Sequence, residues 1–133
     1  MGSSVEVEIR LPADLDQLFV IRSVMATIGL RENFDMDAVE DLKLVVDEMC
    51  SSLVGRCPGA GSLTCRMEVG DRSITLLATA QSDSDRSVDR NSLGWRVLSA
   101  LTDSAFTWTT PDGGANYQVH IRANRAKDTL LAG

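Results

Sequence analysis

The stretch Leu42-Lys43-Leu44-Val45-Val46-Asp47-Glu48-Met49-Cys50-Ser51-Ser52-Leu53-Val54 decides how this chain folds. With Val39 ahead of it, the apolar residues Leu42, Val45, Val46, Met49 and Leu53 recur at spacings of three and four, which lines one face of an α-helix. Asp35 or Asp37 can cap its start by accepting from unpaired backbone N–H groups, and Gly55 with Pro58 stops it. A continuous apolar face of this kind has to be covered, and the residues on either side supply the sheet.

Upstream, Val5, Val7, Ile9 and Leu11 alternate with Glu6, Glu8 and Arg10, the period of two of a strand with one buried face. Pro12 and Asp14 open a first helix in which Leu15, Leu18, Phe19, Arg22, Met25 and Ile28 recur at helical spacing, ending at Gly29. Downstream, Cys57-Pro58-Gly59-Ala60-Gly61 reads as a turn, and the runs Leu63 to Val69 and Ile74 to Ala80 flank Gly70-Asp71 as a hairpin. Gln81 to Asn91, rich in Ser and Asp, reads as a mobile surface loop. A third helix spans Leu93 to Leu101 with Val97, Leu98 and Leu101 inward. Two further strands, Ala105 to Thr110 and Asn116 to Ala123, are joined by Pro111-Asp112-Gly113-Gly114. Asn124 to Gly133 forms a frayed tail. This order predicts an α+β fold, a two-layer sandwich with a mainly antiparallel sheet covered on one face by helices.

The 133 residues suit a single domain over 1–133, with a core over about 5–123, large enough to fold without metal or disulfide staples. Nineteen acidic against 13 basic residues, a net charge of -6, argue against direct nucleic-acid binding, which needs clustered Lys and Arg. A basic protein partner is the easier match. No apolar run reaches the length of a membrane span, and Met1 to Val5 lacks the basic start of a signal peptide, so the expected location is the cytoplasm, with no membrane association. Cys50, Cys57 and Cys65 form no C-x-x-C pair and read as reduced thiols, a Cys57–Cys65 bridge being the alternative. His120 stands alone on the polar parity of its strand, without a Ser-His-Asp or metal-ligand pattern.

The element order, together with residues 42–54, resembles the anti-sigma factors and switch-protein serine kinases of the GHKL (histidine-kinase-like) ATPase superfamily over roughly residues 5–123. The pattern is most similar to actinobacterial stress-response anti-sigma factors, whose nucleotide motifs are eroded. The resemblance implies the histidine-kinase-like, Bergerat-type ATPase fold. In that family the central helix carries an N box, a Glu followed four residues later by Asn, both on one helix face. Glu48 takes the Glu position, where it would accept a proton from an attacking hydroxyl. Ser52 stands where Asn would help hold magnesium, so it is the candidate nucleotide and metal ligand, although shorter than Asn. For Glu48 a solvated helix carboxylate beside Asp47 is the alternative.

The family's D-x-G-x-G motif falls on Thr79-Ala80-Gln81-Ser82-Asp83-Ser84-Asp85, which has no glycine; Asp83 or Asp85 is the candidate base contact, against two acids in a solvated loop. The glycine-rich turn that receives phosphate is reduced to Gly94 in Ser92-Leu93-Gly94-Trp95, after a short lid, and Trp95 either covers the vacated pocket or joins the core. On the first helix, Phe19-Val20-Ile21-Arg22 matches the segment whose arginine meets both competing partners. The resemblance therefore implies an anti-sigma factor that binds and inhibits an alternative RNA polymerase sigma factor and is released by partner switching to an anti-anti-sigma protein. Arg22 would lie on the shared surface, ATP and magnesium would bind weakly or not at all, and the chain would homodimerise through sheet edges. The alternative is an active ATP-dependent serine kinase that phosphorylates the anti-anti-sigma protein.

Overall fold

The computed structural model describes residues 5–59 and 61–127; Met1 to Ser4, Ala60 and the last six residues lie outside it, and with them parts of the expected N-terminus, turn and tail. Strand β1, Val5–Pro12, is followed by a short 3-10 turn at Leu15–Gln17 and helix α1, Leu18–Arg31. Helix α2 spans Met36–Val54. Strands β2, Ser62–Val69, and β3, Ser73–Ser82, precede helix α3, Leu93–Ala100; β4, Ser104–Pro111, and β5, Tyr117–Ala126, complete the order.

The five strands form one sheet in the order β1-β2-β3-β5-β4, antiparallel at every pairing. Alternation decides its two faces. Leu63, Cys65, Met67 and Val69 on β2, Ile74, Leu76, Ala78 and Ala80 on β3, and Val119, Ile121 and Ala123 on β5 are buried beneath the helices. Helix α2 crosses this face and buries Leu42, Val45, Val46, Met49 and Leu53, each removing apolar surface worth about 1.5–3 kcal/mol. The α+β sandwich with helices on one face is as expected, and α2 starts where Asp35 accepts from the Ala38 N–H at 2.8 Å.

Several boundaries differ from the sequence reading. Helix α1 begins at Leu18 and runs through Gly29 to Arg31; the left-handed residue that ends the turn is Asn33, with φ 69°. Gly29 instead allows α1 and α2 to approach, since a Cβ there would meet Val39 Cγ2 at 3.0 Å. The hairpin loop takes in Gly70 to Ser73, closed by the Gly70 N–H donating to the Ser73 carbonyl at 2.9 Å, and the last paired residues are Val69 and Ile74. On α3 the inward residues are Trp95 and Leu98, with Val97 and Leu101 half-buried. Strand β5 continues past Ala123 to Ala126, and Arg125 pairs with Asp41 of α2 at 2.9 Å.

The polar stretch 81–91 is also more structured than its composition predicts. Gln81 and Ser82 extend β3, Ser82 and Val88 are buried, and the loop is tied to β4 at two points. The Val88 N–H donates to Thr107 Oγ1 at 3.2 Å, and Thr109 Oγ1 donates to the Asp85 carbonyl at 2.8 Å. One buried valine and two threonines on a neighbouring strand are enough to seat a loop whose composition is that of a solvated one.

Candidate functional site

The four-residue spacing of Glu48 and Ser52 places both half-buried side chains on one face of α2, beside the N-terminus of α3. Ser92 caps that terminus, its hydroxyl accepting from the Trp95 N–H at 3.1 Å. Gly94, in the first turn, packs directly on the pair: a Cβ there would lie 2.5 Å from Glu48 Oε2 and 3.8 Å from Ser52 Oγ. Three of the residues singled out from sequence, Glu48, Ser52 and Gly94, are thus brought together. Glu48's own carboxylate stands against the helix terminus whose backbone N–H groups would otherwise face an anion. Trp95 takes the second of the two fates open to it and joins the hydrophobic core.

Asp83 does not join them. It is exposed, and with Ser82, Ser84, Arg86 and Asp89 it lines a cleft of 610 Å³ closed on the other side by Gly55 to Pro58 after the end of α2. Neither Glu48, Ser52 nor Gly94 borders this cleft. Two basic residues that sequence reading did not single out occupy it: Arg56 donates from its guanidinium to the Arg86 carbonyl, and its buried Nε has no partner among the described residues. The only sequence signal for Arg56 is its place one residue beyond the capping Gly55, and the path of the loop that meets it comes from tertiary contacts. Among the described residues no group of three or more His, Cys, Asp or Glu is placed to hold a metal ion.

A second candidate surface lies on α1. Arg22 donates through Nε, and reaches through Nη2, to the same oxygen of Asp47 on α2, both at 3.2 Å; the two side chains are 43% and 35% exposed. Using two nitrogens on one oxygen leaves the outer edge of the guanidinium free for another acceptor. Around it the start of α1 is apolar and open to solvent, with Leu15 and Phe19 each 59% exposed. Asp14 and Asp16 add negative charge beside Leu15, which with Pro12, Val54 and Gly61 borders a further cleft of 500 Å³. Phe19 and Arg22 are three residues apart and so share a helix face.

His120 is half-buried on the uncovered face of the sheet, where Nδ1 is 2.9 Å from Thr79 Oγ1, Nε2 is 2.9 Å from Thr110 Oγ1, and the ring stacks on Trp108 at 5.0 Å. Burial lowers its pKa below the usual value. The cysteines are free thiols; Cys50 and Cys65 are buried, and the hydrogen bond between them, then burial, raises the Cys50 thiol well above its ordinary range. No helix of the described residues is long and apolar enough to cross a membrane.

No protein-family profile matches the chain. In sequence it is similar to the anti-sigma-F factor RsbW of Mycobacterium tuberculosis, 32% identical over 124 residues that make up 90% of this chain and 74% of that protein. It is similar as well to the serine-protein kinase RsbW of Bacillus cereus, 28% identical over 94 residues, 69% of this chain and 57% of the kinase. In backbone it resembles the crystal structure of the RsbU and RsbW domains of a Mycobacterium tuberculosis protein, with a TM-score of 0.66 and 15% identity, covering 93% of this chain and 33% of that longer one. At that identity the structural likeness speaks to the fold.

Proposed function

Because this chain belongs to the RsbW family of GHKL-type anti-sigma factors and serine-protein kinases, we propose that it binds and inhibits an alternative sigma factor, and that an anti-anti-sigma protein releases it by competing for the same surface. The observation that carries this reading is the open face at the start of α1, where a half-exposed Arg22 sits three residues from an exposed Phe19. An aromatic and an arginine together have the composition of a binding hot spot, and such a pair left in solvent gains by being covered. The acids around it, Asp14 and Asp16, and the net charge of -6 favour a basic partner and speed its approach. Homodimerisation and a cytoplasmic location belong to the same proposal.

Nucleotide plays a small part or none. The contact between Gly94 and the Glu48 carboxylate supports this, because the helix terminus that would receive phosphate already has an anionic side chain against it. Ser52 and Glu48 supply one hydroxyl and one carboxylate, and a magnesium ion held by so few protein ligands relies on substrate phosphates for the rest. With α3 seated on Glu48, the residues as placed do not fit a triphosphate and its metal, and no phosphoryl-transfer step is assigned to them. The test is titration of the full chain with an alternative sigma factor and with an anti-anti-sigma protein, each with and without Mg-ATP. Binding of both, mutually exclusive and independent of nucleotide, is the expected result. Failure to bind any sigma factor from its own organism would refute the reading, and binding that requires Mg-ATP would restore the kinase alternative.

A further inference from the structure

Cys50 on α2 and Cys65 on β2 come from the two layers of the sandwich and meet in its core, where a hydrogen bond joins their thiols. Both residues are completely buried. Alternation puts Cys65 on the helix-facing side of β2, with Ile9 of β1 and Ala78 of β3 as its cross-strand neighbours. The small side chain of Ala78 leaves α2 room to approach the sheet at this point. On α2, helical spacing sets Cys50 between Val46 and Leu53 on the buried face. Asp47, whose carboxylate holds Arg22, lies close enough for its charge to act on the Cys50 thiol.

Two thiols held in contact have already lost the freedom that closing a disulfide normally costs, so the folded chain favours the bond once an oxidant is supplied. Burial acts on the rate instead. The contact with Cys65, then burial, and last the Asp47 carboxylate hold the Cys50 thiol well above its ordinary range, and a protonated thiol is a poor nucleophile. Cys57 is the opposite case. It is partly exposed, and its sulfur packs on Gly61 and accepts from the Gln81 backbone N–H, with no second thiol in contact.

We propose that Cys50 and Cys65 are a modification site, a dithiol that hydrogen peroxide closes to a disulfide, and that closure loosens the hold of the α1 surface on its partners. In the first step one sulfur, its proton lost, attacks a peroxide oxygen; the O–O bond breaks, hydroxide leaves and takes up that proton as water, and a sulfenic acid remains. The other sulfur then attacks the sulfenic sulfur; the S–S bond forms, the S–O bond breaks and a second water leaves. Two thiols and one peroxide become one disulfide and two waters, sulfur being oxidised and peroxide oxygen reduced. Peroxide is little larger than water and reaches the pair through local opening of the α2 layer, which makes the reaction slow. A covalent sulfur–sulfur bond is much shorter than a thiol hydrogen bond, and a core packed with Met49, Leu53 and Met67 cannot absorb the difference. Helix α2 therefore shifts toward β2. Asp47, three residues before Cys50, travels with it and withdraws the oxygen that holds the Arg22 guanidinium. The effect on partners rests on the anti-sigma reading, whereas the disulfide does not.

The test treats the reduced full chain with hydrogen peroxide, blocks the remaining thiols with iodoacetamide in denaturant, and maps the peptides by mass spectrometry. Wild type, Cys57→Ser and Cys50→Ala/Cys57→Ser are compared, with thermal unfolding as the control for folding. A Cys50–Cys65 cross-link is expected over minutes to hours in wild type and Cys57→Ser alike, reversed by dithiothreitol. Titration of an alternative sigma factor should then show Kd about two- to fivefold higher for oxidised than for reduced Cys57→Ser, with recovery on reduction. Peroxide should leave the affinity of Cys50→Ala/Cys57→Ser unchanged, which separates the cross-link from oxidation elsewhere in the chain. Cys50 and Cys65 still reduced after prolonged exposure, or a cross-link made through Cys57 instead, would overturn the modification site. A complete Cys50–Cys65 cross-link with sigma-factor affinity unchanged would overturn its effect on the α1 surface. Failure of the reduced protein to bind any sigma factor would refute the anti-sigma reading and with it that effect, while the mapped disulfide would stand.

Discussion

Removing the Arg22 guanidinium is expected to cost partner binding about 2 kcal/mol, about thirtyfold in Kd, while costing the fold less than about 1 kcal/mol. The two figures come from one geometry. Nε and Nη2 both reach the single oxygen Asp47 Oδ1 at 3.2 Å, and both side chains are more than a third exposed, so the internal pair is long, solvated and weak. A partner carboxylate meeting the free outer edge of the guanidinium would be largely desolvated by the surrounding Phe19 and Leu15, where a charge-assisted bond contributes far more. Asp47 then acts as a positioning residue that holds the fork in place. Asp47→Ala should weaken both partners about two- to fivefold, the cost of freeing one long side chain. In an Arg22→Ala background the same change should do nothing, because there is no fork left to hold. Arg22→Lys keeps the charge but offers one compact donor group, and should recover only part of the loss. The assay is calorimetric titration of a sigma factor and of an anti-anti-sigma protein against the wild type and the four variants at two salt concentrations, with thermal unfolding as the control. Unchanged affinity of Arg22→Ala for both partners would refute the hot spot, loss toward only one would refute a shared residue, and an Asp47→Ala effect that survives in the double variant would show that Asp47 touches the partner itself.

Calorimetry with Mg-ATP should show no micromolar binding, given the contact of Gly94 with Glu48 and the serine at Ser52; if binding and transfer to a partner serine were found, Glu48→Gln should abolish most of the transfer without unfolding the chain. Among the three thiols only Cys57 is partly exposed, so Ellman's reagent should react with one thiol in the native protein and with all three after denaturation, and more than one fast thiol at the start would contradict the buried Cys50–Cys65 pair. Burial lowers the His120 pKa, so below about 6.5 the unfolded chain takes up a proton before the folded one does. Stability from this residue is therefore full above about pH 6.5 and falls as the pH drops from there toward the folded-state pKa. His120→Gln should lose that part of the acid dependence, and identical pH profiles of the unfolding midpoint would count against it.

Local periodicity accounts for the parts of this fold that are legible before any tertiary contact is known. The apolar face of α2, from Val39 to Leu53, and the alternation on β1, β2, β3 and β5 each repeat within a few residues, and a repeat that short is legible without knowing what covers it. The Glu48 and Ser52 pairing was readable for the same reason, because a spacing of four on a helix is already a distance in space. Asp83 shows where that legibility ends: it lies in a loop, has no fixed spacing to α2, and the structure places it in a cleft apart from the other three candidates. The seating of 81–91 on β4 depends on Thr107 and Thr109, residues with nothing in their own neighbourhood to announce it. Arg22 could be placed on its helix from sequence, but its partner Asp47 is 25 residues away and is chosen by how α1 packs on α2 through Gly29 and Val39. The same holds for Gly94 against Glu48 and for Cys50 against Cys65, which joins α2 to β2. Those contacts exist only once helices and strands have docked, since contacts between distant residues are set by the packing of whole faces and leave no periodic trace in the residues that make them.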